Sequence, residues 1–208
     1  VPVFVTATEE HHFKVTVEQL EAARTDKTKV LLLNSPSNPT GMIYSREELE
    51  AIGNWAVEHD LLILADDIYG RLVYNGNTFT PISSISESIR QQTIVINGVA
   101  KAYAMTGWRV GYAVGNPEII AAMGKIIGQT TSNLTTVAQY AAIEAFTGPQ
   151  DTVETMRQAF EERLNTIYPL LAEVPGFEVV KPEGAFYLFP NVKKAMEMKG
   201  FTDVTEFT

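Results

Sequence analysis

Cysteine is absent from this sequence of 208 residues, which excludes both disulfides and thiolate metal sites. Histidine occurs only three times, and no spacing of histidine with acidic residues resembles a zinc site. Lysine and arginine form no cluster, and the formal net charge is −9. Because nucleic-acid binding usually needs a basic surface, we predict neither a metal ion nor nucleic acid as a partner.

Long apolar runs are also missing. The segment Leu61–Ala65 is among the longest, and it is far shorter than the roughly 20 residues that span a membrane. No secretory signal pattern stands at the start, so we predict a cytoplasmic protein without a membrane partner. The Gly-x-Ser-x-Gly motif of hydrolases and the glycine patterns that bind dinucleotides or nucleoside triphosphates are absent as well.

Both ends of the sequence interrupt a pattern. Val1 lies inside an apolar run and is not an initiator methionine, and residues 202–208 resemble the start of a helix. We therefore interpret the chain as a fragment that lacks the N-terminal part and the C-terminal end of a longer protein.

Short segments rich in valine, isoleucine and leucine alternate with amphipathic helices over the first part of the chain. Most of these segments are continuous apolar runs, which is typical of parallel strands that are covered on both faces. This alternation predicts an α/β fold with a mostly parallel sheet between helices. The predicted strands are Val3–Thr6, Val30–Asn34, Leu61–Asp66, Thr93–Asn97 and Arg109–Val114.

Helix start signals separate these strands. Thr16 and Ser45 each begin a capping box, in which glutamine or glutamate follows three residues later. Asn116 precedes a proline at the first helical position. Thr135–Phe146 is predicted to be a buried helix that ends before Gly148.

The pattern changes after Asp151, which is predicted to cap a long helix with an apolar stripe. Two further strands are predicted beyond this helix, at Phe177–Val180 and Ala185–Phe189. We therefore assign residues 1–150 to part of a large domain. Residues 151–208 are assigned to the long linking helix and part of a smaller α+β domain.

The residues after the predicted strands are the candidates for a ligand site, because ligands of open α/β sheets bind beyond the carboxyl ends of the strands. Residues 34–41 read Asn-Ser-Pro-Ser-Asn-Pro-Thr-Gly, which fits an ordinary turn-rich loop. The alternative is a rigid loop that holds Asn38 as a hydrogen-bond donor to a ligand.

Acidic and phenolic side chains follow the next strand. Asp66 stands where the strand ends, and Tyr69 comes three residues later. Such an acid often only caps the following helix. Alternatively, the Asp66 carboxylate pairs with a protonated pyridine nitrogen, and the Tyr69 phenol donates to a phenolate oxygen of the same ligand.

A lysine stands among small and apolar neighbours after the strand that ends at Asn97. An isolated lysine is usually a solvated surface residue. Lys101 has few polar neighbours, however, and a lysine that is shielded from water becomes a usable amine nucleophile. Arg109 offers a planar group suited to a phosphate, although an ordinary ion pair is its simpler role.

Taken together, these segments resemble the class I/II aminotransferases of the fold-type-I pyridoxal-phosphate family. The matching stretches are NSPSNPTG, ADDIY, KAYAMTGWRVGY and PEGAFYLFP, and the resemblance covers essentially the whole chain. The pattern is closest to that of bacterial aspartate aminotransferases. The resemblance implies pyridoxal 5'-phosphate as the cofactor, part of the large cofactor-binding domain, and a homodimer whose partner completes each site.

The resemblance also implies roles for five residues. Lys101 forms the Schiff base with the cofactor and later moves a proton. Asp66 keeps the pyridine nitrogen protonated, and Arg109 binds the phosphate. Tyr69 and Asn38 hydrogen-bond the 3' oxygen of the ring. The family pattern further implies a cis peptide bond before the proline that follows Asn38.

Two positions depart from the family pattern. Gly98 replaces a frequent serine or threonine that contacts the phosphate, and Ala100 replaces a frequent serine just before the lysine. Either phosphate binding depends more on other groups, or those groups belong to the part of the protein outside this segment. We also expect the phosphate loop, the ring-stacking residue and the arginine for the substrate carboxylate to lie outside this segment.

The leading functional hypothesis is transfer of an amino group between an amino acid and a 2-oxo acid, with aspartate and 2-oxoglutarate as the first guess. We expect the fragment alone to be inactive. One alternative is a carbon–sulfur lyase that uses the same cofactor. Another is a non-catalytic, aminotransferase-like domain that senses a ligand and is fused to a DNA-binding region.

Overall fold

The computed structural model describes residues 1–208. A four-stranded sheet has the order β1-β2-β3-β4, and a separate two-stranded sheet pairs β5 with β6. The strands are β1 Val30–Asn34, β2 Leu62–Asp66, β3 Thr93–Gly98, β4 Gly111–Val114, β5 Glu178–Val179 and β6 Pro190–Asn191. The helices are α1 Val17–Ala23, α2 Arg46–Glu58, α3 Glu87–Gln91, α4 Pro117–Thr130, α5 Thr136–Thr147, α6 Asp151–Ala172, α7 Lys193–Lys199 and α8 Val204–Phe207.

Strands β1, β2 and β3 are parallel, and β4 runs antiparallel to β3. The predicted α/β class with a mostly parallel sheet is therefore confirmed. The predicted strand Arg109–Val114 begins later, at Gly111, and it reverses direction because a loop of residues 99–110 joins it to β3. An antiparallel neighbour needs only such a loop, whereas a parallel neighbour needs a crossover.

The main core lies between the sheet and helix α2. Twelve buried residues form it, and Ile52 of α2 and Ile63 of β2 are fully buried within it. The capping box at Ser45 is present, since its hydroxyl accepts from the backbone nitrogen of Glu48 and the Glu48 carboxylate accepts from the Ser45 nitrogen. The same arrangement at Thr16 begins α1. Local capping and apolar spacing therefore predicted these two helices correctly.

The strand predicted at Val3–Thr6 is wrong. No strand forms there, and the Phe4 side chain is 88% exposed. A strand is stabilised by hydrogen bonds to a neighbouring strand. Strand β1 is the edge of the four-stranded sheet, and residues 3–6 do not pair with it. Apolar alternation in Val1–Val5 was therefore insufficient evidence for a strand.

Two predictions about helices also need correction. Helix α5 forms as predicted, but only Ala138 and Ala142 are buried in it, and Tyr140 is 70% exposed. The small residues face the core, which leaves the large apolar side chains outside. Asp151 does not cap α6: it is the first helical residue, the N-cap position belongs to Gln150, and no side-chain capping bond forms.

The strands predicted near the end of the chain are shorter than expected. The first is reduced to Glu178–Val179, and the second prediction, Ala185–Phe189, is wrong because the paired segment is Pro190–Asn191. Ala185 has a φ of 59°, and its backbone nitrogen donates to the Leu72 carbonyl oxygen at 2.9 Å. Packing on the loop after β2 therefore removes this segment from the small sheet.

A turn formed by residues 182–184, which we call the PEG turn, packs on the loop after β1. The Gly41 carbonyl oxygen accepts from the backbone nitrogens of Glu183 and Gly184, at 3.0 and 2.8 Å. The Glu183 carboxylate accepts from the Ile43 nitrogen at 3.0 Å. A Cβ atom on Gly41, whose φ is 71°, would lie 2.6 Å from the Gly184 oxygen. Glycine is therefore required at residue 41, where these two backbones meet.

The PEG turn also binds the loop after β2. The Tyr74 nitrogen donates to the Glu183 oxygen at 3.0 Å, and the Tyr74 hydroxyl donates to the Ala185 oxygen. Tyr69, Leu72, Tyr74, Leu164 of α6 and Ala185 form a second buried apolar cluster. The end of the chain is thus fixed against the loops that follow β1 and β2.

None of the helices combines the length and the hydropathy that a membrane crossing requires. No group of three or more histidine and acidic side chains is arranged to hold a metal ion.

The PEG turn gives the first testable prediction. A Cβ atom at Gly184 would lie 2.8 Å from the Leu72 carbonyl oxygen and 2.9 Å from the Pro36 Cβ atom. We expect Gly184→Ala to lower the free energy of unfolding by about 1–3 kcal/mol, because both loops must move apart. Urea unfolding of the purified protein measures this change.

Gly124→Ala in α4 is the matched control, because nothing lies within 4 Å of its added Cβ atom. Helix propensity should make this variant neutral or more stable by up to about 1 kcal/mol. Equal stability of the Gly184→Ala variant and the unmodified protein would show that the contact does not hold the loops together.

Candidate active site

The carboxyl ends of β1 and β2 meet at one edge of the sheet. Asn34 and Asp66 are register partners in the last pair of these strands. The Asn34 side-chain nitrogen donates to the Asp66 carbonyl oxygen at 2.9 Å, while its side-chain oxygen accepts from the Asn38 backbone nitrogen at 2.8 Å. Asn34 therefore connects the loop that carries Asn38 to the end of the strand that carries Asp66.

One oxygen of the Asp66 carboxylate is committed to the protein. It accepts from the Ile68 backbone nitrogen at 3.2 Å, and a turn follows instead of a helix. The simple helix-capping role considered for Asp66 is therefore absent. Its second carboxylate oxygen accepts no hydrogen bond from the protein and is free to bind a ligand. The Asn38 side chain is exposed at the same edge.

Lys101 and Tyr69 are brought together by the tertiary structure. The Lys101 Nζ atom lies 5.7 Å from the centroid of the Tyr69 ring and 5.2 Å from that of Phe186. The lysine is half-buried, and Tyr69 is only 3% exposed. A lysine ammonium within about 6 Å of an aromatic ring centroid is attracted to the face of that ring. Lys101 is therefore not an ordinary solvated surface lysine.

The Tyr69 phenol has one protein partner. Its oxygen lies 2.5 Å from the hydroxyl oxygen of Tyr187, and the two rings meet edge to face at 5.7 Å. Burial raises the pKa of Tyr69 well above its ordinary value, and the hydrogen bond with Tyr187 and the charge of Asp66 act in the same direction. Tyr69 therefore remains protonated, and a hydrogen-bond donor, over the ordinary pH range.

Arg109 lies at the other end of the loop that carries Lys101. Its backbone is left-handed, with a φ of 55°, and one guanidinium nitrogen donates to the Thr106 carbonyl oxygen at 2.7 Å. Its exposed guanidinium forms no ion pair with an acidic side chain, so the simpler role considered for it is absent. The remaining N–H groups are free to bind an anion.

The ends of this loop are closed by backbone contacts between β3 and β4. Gly98 is the register partner of Gly111, and the Val99 nitrogen donates to the Val110 oxygen at 3.3 Å. A Cβ atom on Gly98 would lie 2.7 Å from that same oxygen. Glycine at this position, which departs from the family pattern, therefore has a steric reason: the backbone of the returning strand occupies the space.

Asp67 was not among the predicted site residues, yet it is 7% exposed next to Asp66. Burial, followed by the neighbouring charge of Asp66, raises the pKa of Asp67 to about 7. Asp67 is therefore neutral in mildly acid solution.

A concave surface of about 530 Å³ lies between the loop of residues 99–110 and the helices α5 and α6, and most of the residues that line it are hydrophobic. Glu144 is its only carboxylate, and none of the five predicted site residues lines it. It is therefore separate from the candidate site, which opens along the carboxyl ends of β1, β2 and β3.

Residues 1–206 match the sequence profile of the family described as aminotransferase class I and II. The chain belongs to this family. It is 82% identical to the asparagine–oxo-acid transaminase of Streptococcus mutans serotype c over 208 residues, which are all of this chain and 53% of that protein. It is 58% identical to the aspartate aminotransferase of Bacillus sp. (strain YM-2), of which it covers 53%.

Solved structures agree with this assignment. The aspartate aminotransferase of Rhizobium meliloti superposes with a TM-score of 0.90 at 38% identity, over 93% of this chain and 48% of that one. The aspartate aminotransferase of Thermus thermophilus with maleate gives a TM-score of 0.85 at 40% identity, over 90% and 49% of the two chains. The chain therefore has the aminotransferase fold and spans about half the length of the curated relatives it matches.

Sequence reasoning about this aminotransferase-family chain missed Asn34, Asp67, Phe186 and Tyr187. All four stand in motifs that carry the family resemblance, but no role was assigned to them. The signal for Asp67 in the sequence was its position as a second acid directly after Asp66. No local pattern indicates that Tyr187 contacts Tyr69, because 118 residues separate them.

The raised pKa of Asp67 predicts a dependence of stability on pH. The folded protein keeps the proton of this carboxyl up to about pH 7, whereas the unfolded chain loses it near pH 4. Between these values the folded state binds more protons, so the contribution of Asp67 to stability falls as the pH rises. We expect Asp67→Asn to remove this fall, which is on the order of a few kcal/mol.

Urea unfolding at pH 4.5, 6 and 7.5 measures this effect as the difference between the two proteins. Asp26→Asn is a suitable control, because Asp26 is exposed on the surface. This variant should change the pH dependence of the free energy of unfolding little. Parallel pH profiles of the unmodified protein and the Asp67→Asn variant would mean that Asp67 is ionised throughout the range.

Proposed function

We propose that the complete protein transfers an amino group between an amino acid and a 2-oxo acid with pyridoxal 5'-phosphate, and that Lys101 is the lysine that joins the cofactor. The observation that carries the proposal is the position of the Lys101 amine. It follows a sheet strand, lies 5.2 and 5.7 Å from the Phe186 and Tyr69 rings, and stands beside a buried phenol. Membership of the aminotransferase family supports the same chemistry.

The groups at the candidate site fit the cofactor. Pyridoxal phosphate has an aldehyde, a ring oxygen, a ring nitrogen and a phosphate, and these need an amine, hydrogen-bond donors, an acid and a cation. Lys101 supplies the amine, Tyr69 and Asn38 supply donors, Asp66 supplies the acid, and Arg109 supplies the cation. The free oxygen of Asp66 and the free N–H groups of Arg109 are the atoms that these contacts require.

Each residue then has a physical task. When bound, the cofactor supplies a ring that accepts the electrons released at the α-carbon of the substrate. The Asp66 charge holds a proton at the ring nitrogen, and Tyr69 donates a hydrogen bond to the ring oxygen. The Arg109 guanidinium binds the phosphate with its planar N–H groups. The Lys101 amine, held beside the Tyr69 and Phe186 rings, would be the group that moves the proton of the α-carbon.

Borohydride reduction of the full-length protein with bound pyridoxal phosphate tests the proposed lysine. Reduction makes the link between cofactor and lysine permanent, and peptide mapping then finds the labelled residue. We expect the label on Lys101, and we expect Lys101→Ala to lose both the label and transaminase activity by about a thousandfold or more.

Lys125→Arg is the matched control, because Lys125 is an exposed residue of α4 and lies outside the candidate site. It should retain the label and the activity. A label on a lysine other than Lys101 would overturn the proposal.

For the substrate, we propose an amino acid with a four-carbon skeleton and a polar side chain, with 2-oxoglutarate as the first amino acceptor. The relatives named above are an asparagine–oxo-acid transaminase and an aspartate aminotransferase. A site built to hydrogen-bond a side-chain oxygen discriminates strongly against a side chain that lacks one, because its own polar groups are left unpaired.

Glutamate formation from 2-oxoglutarate tests this specificity in the full-length protein. We expect kcat/KM for L-aspartate or L-asparagine to exceed that for L-alanine by about a hundredfold or more. The ratio of the first two values decides between the carboxylate and the amide. Pyruvate and ammonia without glutamate would indicate a lyase, and cofactor binding without turnover would indicate a sensor.

The proposal also covers the domain division, the location and the oligomeric state of the full-length protein. We propose that residues 1–150 form part of the large cofactor-binding domain and that residues 151–208 form the long linking helix and part of the smaller C-terminal domain. Leu164 and Ala185, from the second part, share a buried cluster with Tyr69, so the two parts are in apolar contact. We also propose that the full-length protein is a cytoplasmic homodimer.

A further inference from the structure

Tyr69 and Tyr187 form a pair of phenols that the proposed chemistry does not yet explain. Their oxygen atoms are 2.5 Å apart, and the hydrogen bond can have either phenol as the donor. Tyr187 lies just after the PEG turn, whereas Tyr69 lies after strand β2. A contact between such distant segments is made only in the folded protein.

The number of hydrogens in this pair limits what it can do. Each phenol has one hydrogen, and only one hydrogen lies between the two oxygens. If Tyr69 donates to Tyr187, then Tyr69 has no hydrogen left for a ligand. If Tyr187 donates to Tyr69, then the Tyr69 hydrogen is free to point at an acceptor in the site. An acceptor beside Tyr69 therefore selects the second arrangement.

Packing and backbone hydrogen bonds hold Tyr187 in a position from which it can donate to Tyr69. The backbone of Ala185, two residues earlier, is bonded at both polar atoms, to the Leu72 oxygen and the Tyr74 hydroxyl. The Phe186 ring stacks on Phe160 of α6, with centroids 5.5 Å apart and an interplanar angle of 26°. The half-buried Tyr187 ring follows these fixed residues and packs against the Tyr69 and Phe186 rings, with centroids 5.7 and 4.8 Å away, which leaves it little freedom to turn away from Tyr69.

We propose that Tyr187 is a positioning residue: it donates a hydrogen bond to the Tyr69 oxygen, so that the hydrogen of Tyr69 points at the ring oxygen of the cofactor. This inference rests on the proposed function, because it gives Tyr69 that ligand. The hydrogen bond from Tyr187 also polarises the Tyr69 hydroxyl, since linked hydrogen bonds strengthen one another. In this role Tyr187 acts through Tyr69, with which it shares its side-chain hydrogen bond.

The pH at which the bound cofactor changes its absorbance reports on this hydrogen bond. A donor at the ring oxygen stabilises the negative charge that remains after the cofactor loses its proton, so a weaker donor raises the midpoint of the change. We expect Tyr187→Phe to raise this midpoint by roughly half a pH unit, which corresponds to a modest loss of one hydrogen bond. Tyr69→Phe should raise it further.

The experiment uses the full-length protein loaded with pyridoxal 5'-phosphate and compares four variants by absorbance titration. They are Tyr187→Phe, Tyr69→Phe, the double variant and Tyr168→Phe. If Tyr187 acts through Tyr69, the double variant has the midpoint of Tyr69→Phe alone. Tyr168→Phe is the matched control, because Tyr168 packs against the same apolar cluster while its hydroxyl forms no protein hydrogen bond. Its midpoint should equal that of the unmodified protein.

The outcomes separate this inference from the proposed function. An unmodified protein that shows no cofactor absorbance and no label on Lys101 overturns both. A normal cofactor band whose midpoint is unchanged in Tyr187→Phe overturns the role of Tyr187 alone. A double variant whose midpoint shift equals the sum of the two single shifts would also overturn the role of Tyr187, because the two residues would then act independently.

Tyr187→His provides a second variant in case Tyr187→Phe does not fold. The imidazole retains a ring N–H that can donate to Tyr69. Because the donor is retained, we expect its midpoint to lie close to that of the unmodified protein, and a rise of roughly half a pH unit or more would overturn the inference.

Discussion

The contact between Gly41 and the PEG turn is the constraint on which the candidate site depends. Two backbones approach so closely that a Cβ atom on Gly41 would lie 2.6 Å from the Gly184 oxygen. This contact fixes residues that are far apart in sequence, because the PEG turn carries Phe186 and Tyr187 directly after it. Without it, the Lys101 amine would lose one of its two aromatic neighbours, and Tyr69 would lose its hydrogen-bond partner.

A second set of contacts, between residues at the carboxyl ends of β1 and β2, positions Asn38 and Asp66. Parallel pairing places Asn34 beside Asp66, and the Asn34 amide then uses its donor and its acceptor to connect the Asn38 loop with the end of β2. Asp67 turns into the interior and has a raised pKa, whereas Asp66 keeps one oxygen free at the edge. Two adjacent acids thus have different environments, because the alternation of buried and half-buried residues along β2 continues to Asp67, directly after the strand.

The loop between β3 and β4 explains why the lysine and the arginine belong to one structural unit. Strand β4 returns antiparallel, so both ends of the loop are held by the same pair of strands. The close approach of Val110 leaves room only for glycine at residue 98. A side chain at this position would require the backbone of the returning strand to shift, whereas Arg109, at the other end of the loop, keeps N–H groups that are free to bind an anion.

The sequence by itself determined the α/β class, the capped helices α1 and α2, and the identity of Lys101, Asp66 and Tyr69 as candidates. These follow from local rules: capping, apolar periodicity and motif resemblance need only neighbouring residues. The tertiary structure decided the rest. It placed Tyr187 on Tyr69, buried Asp67, left Val3–Thr6 without a partner strand and kept residues 185–189 out of the small sheet. Each of these outcomes depends on which distant segment lies alongside, and long-range packing has no signature in a short stretch of sequence.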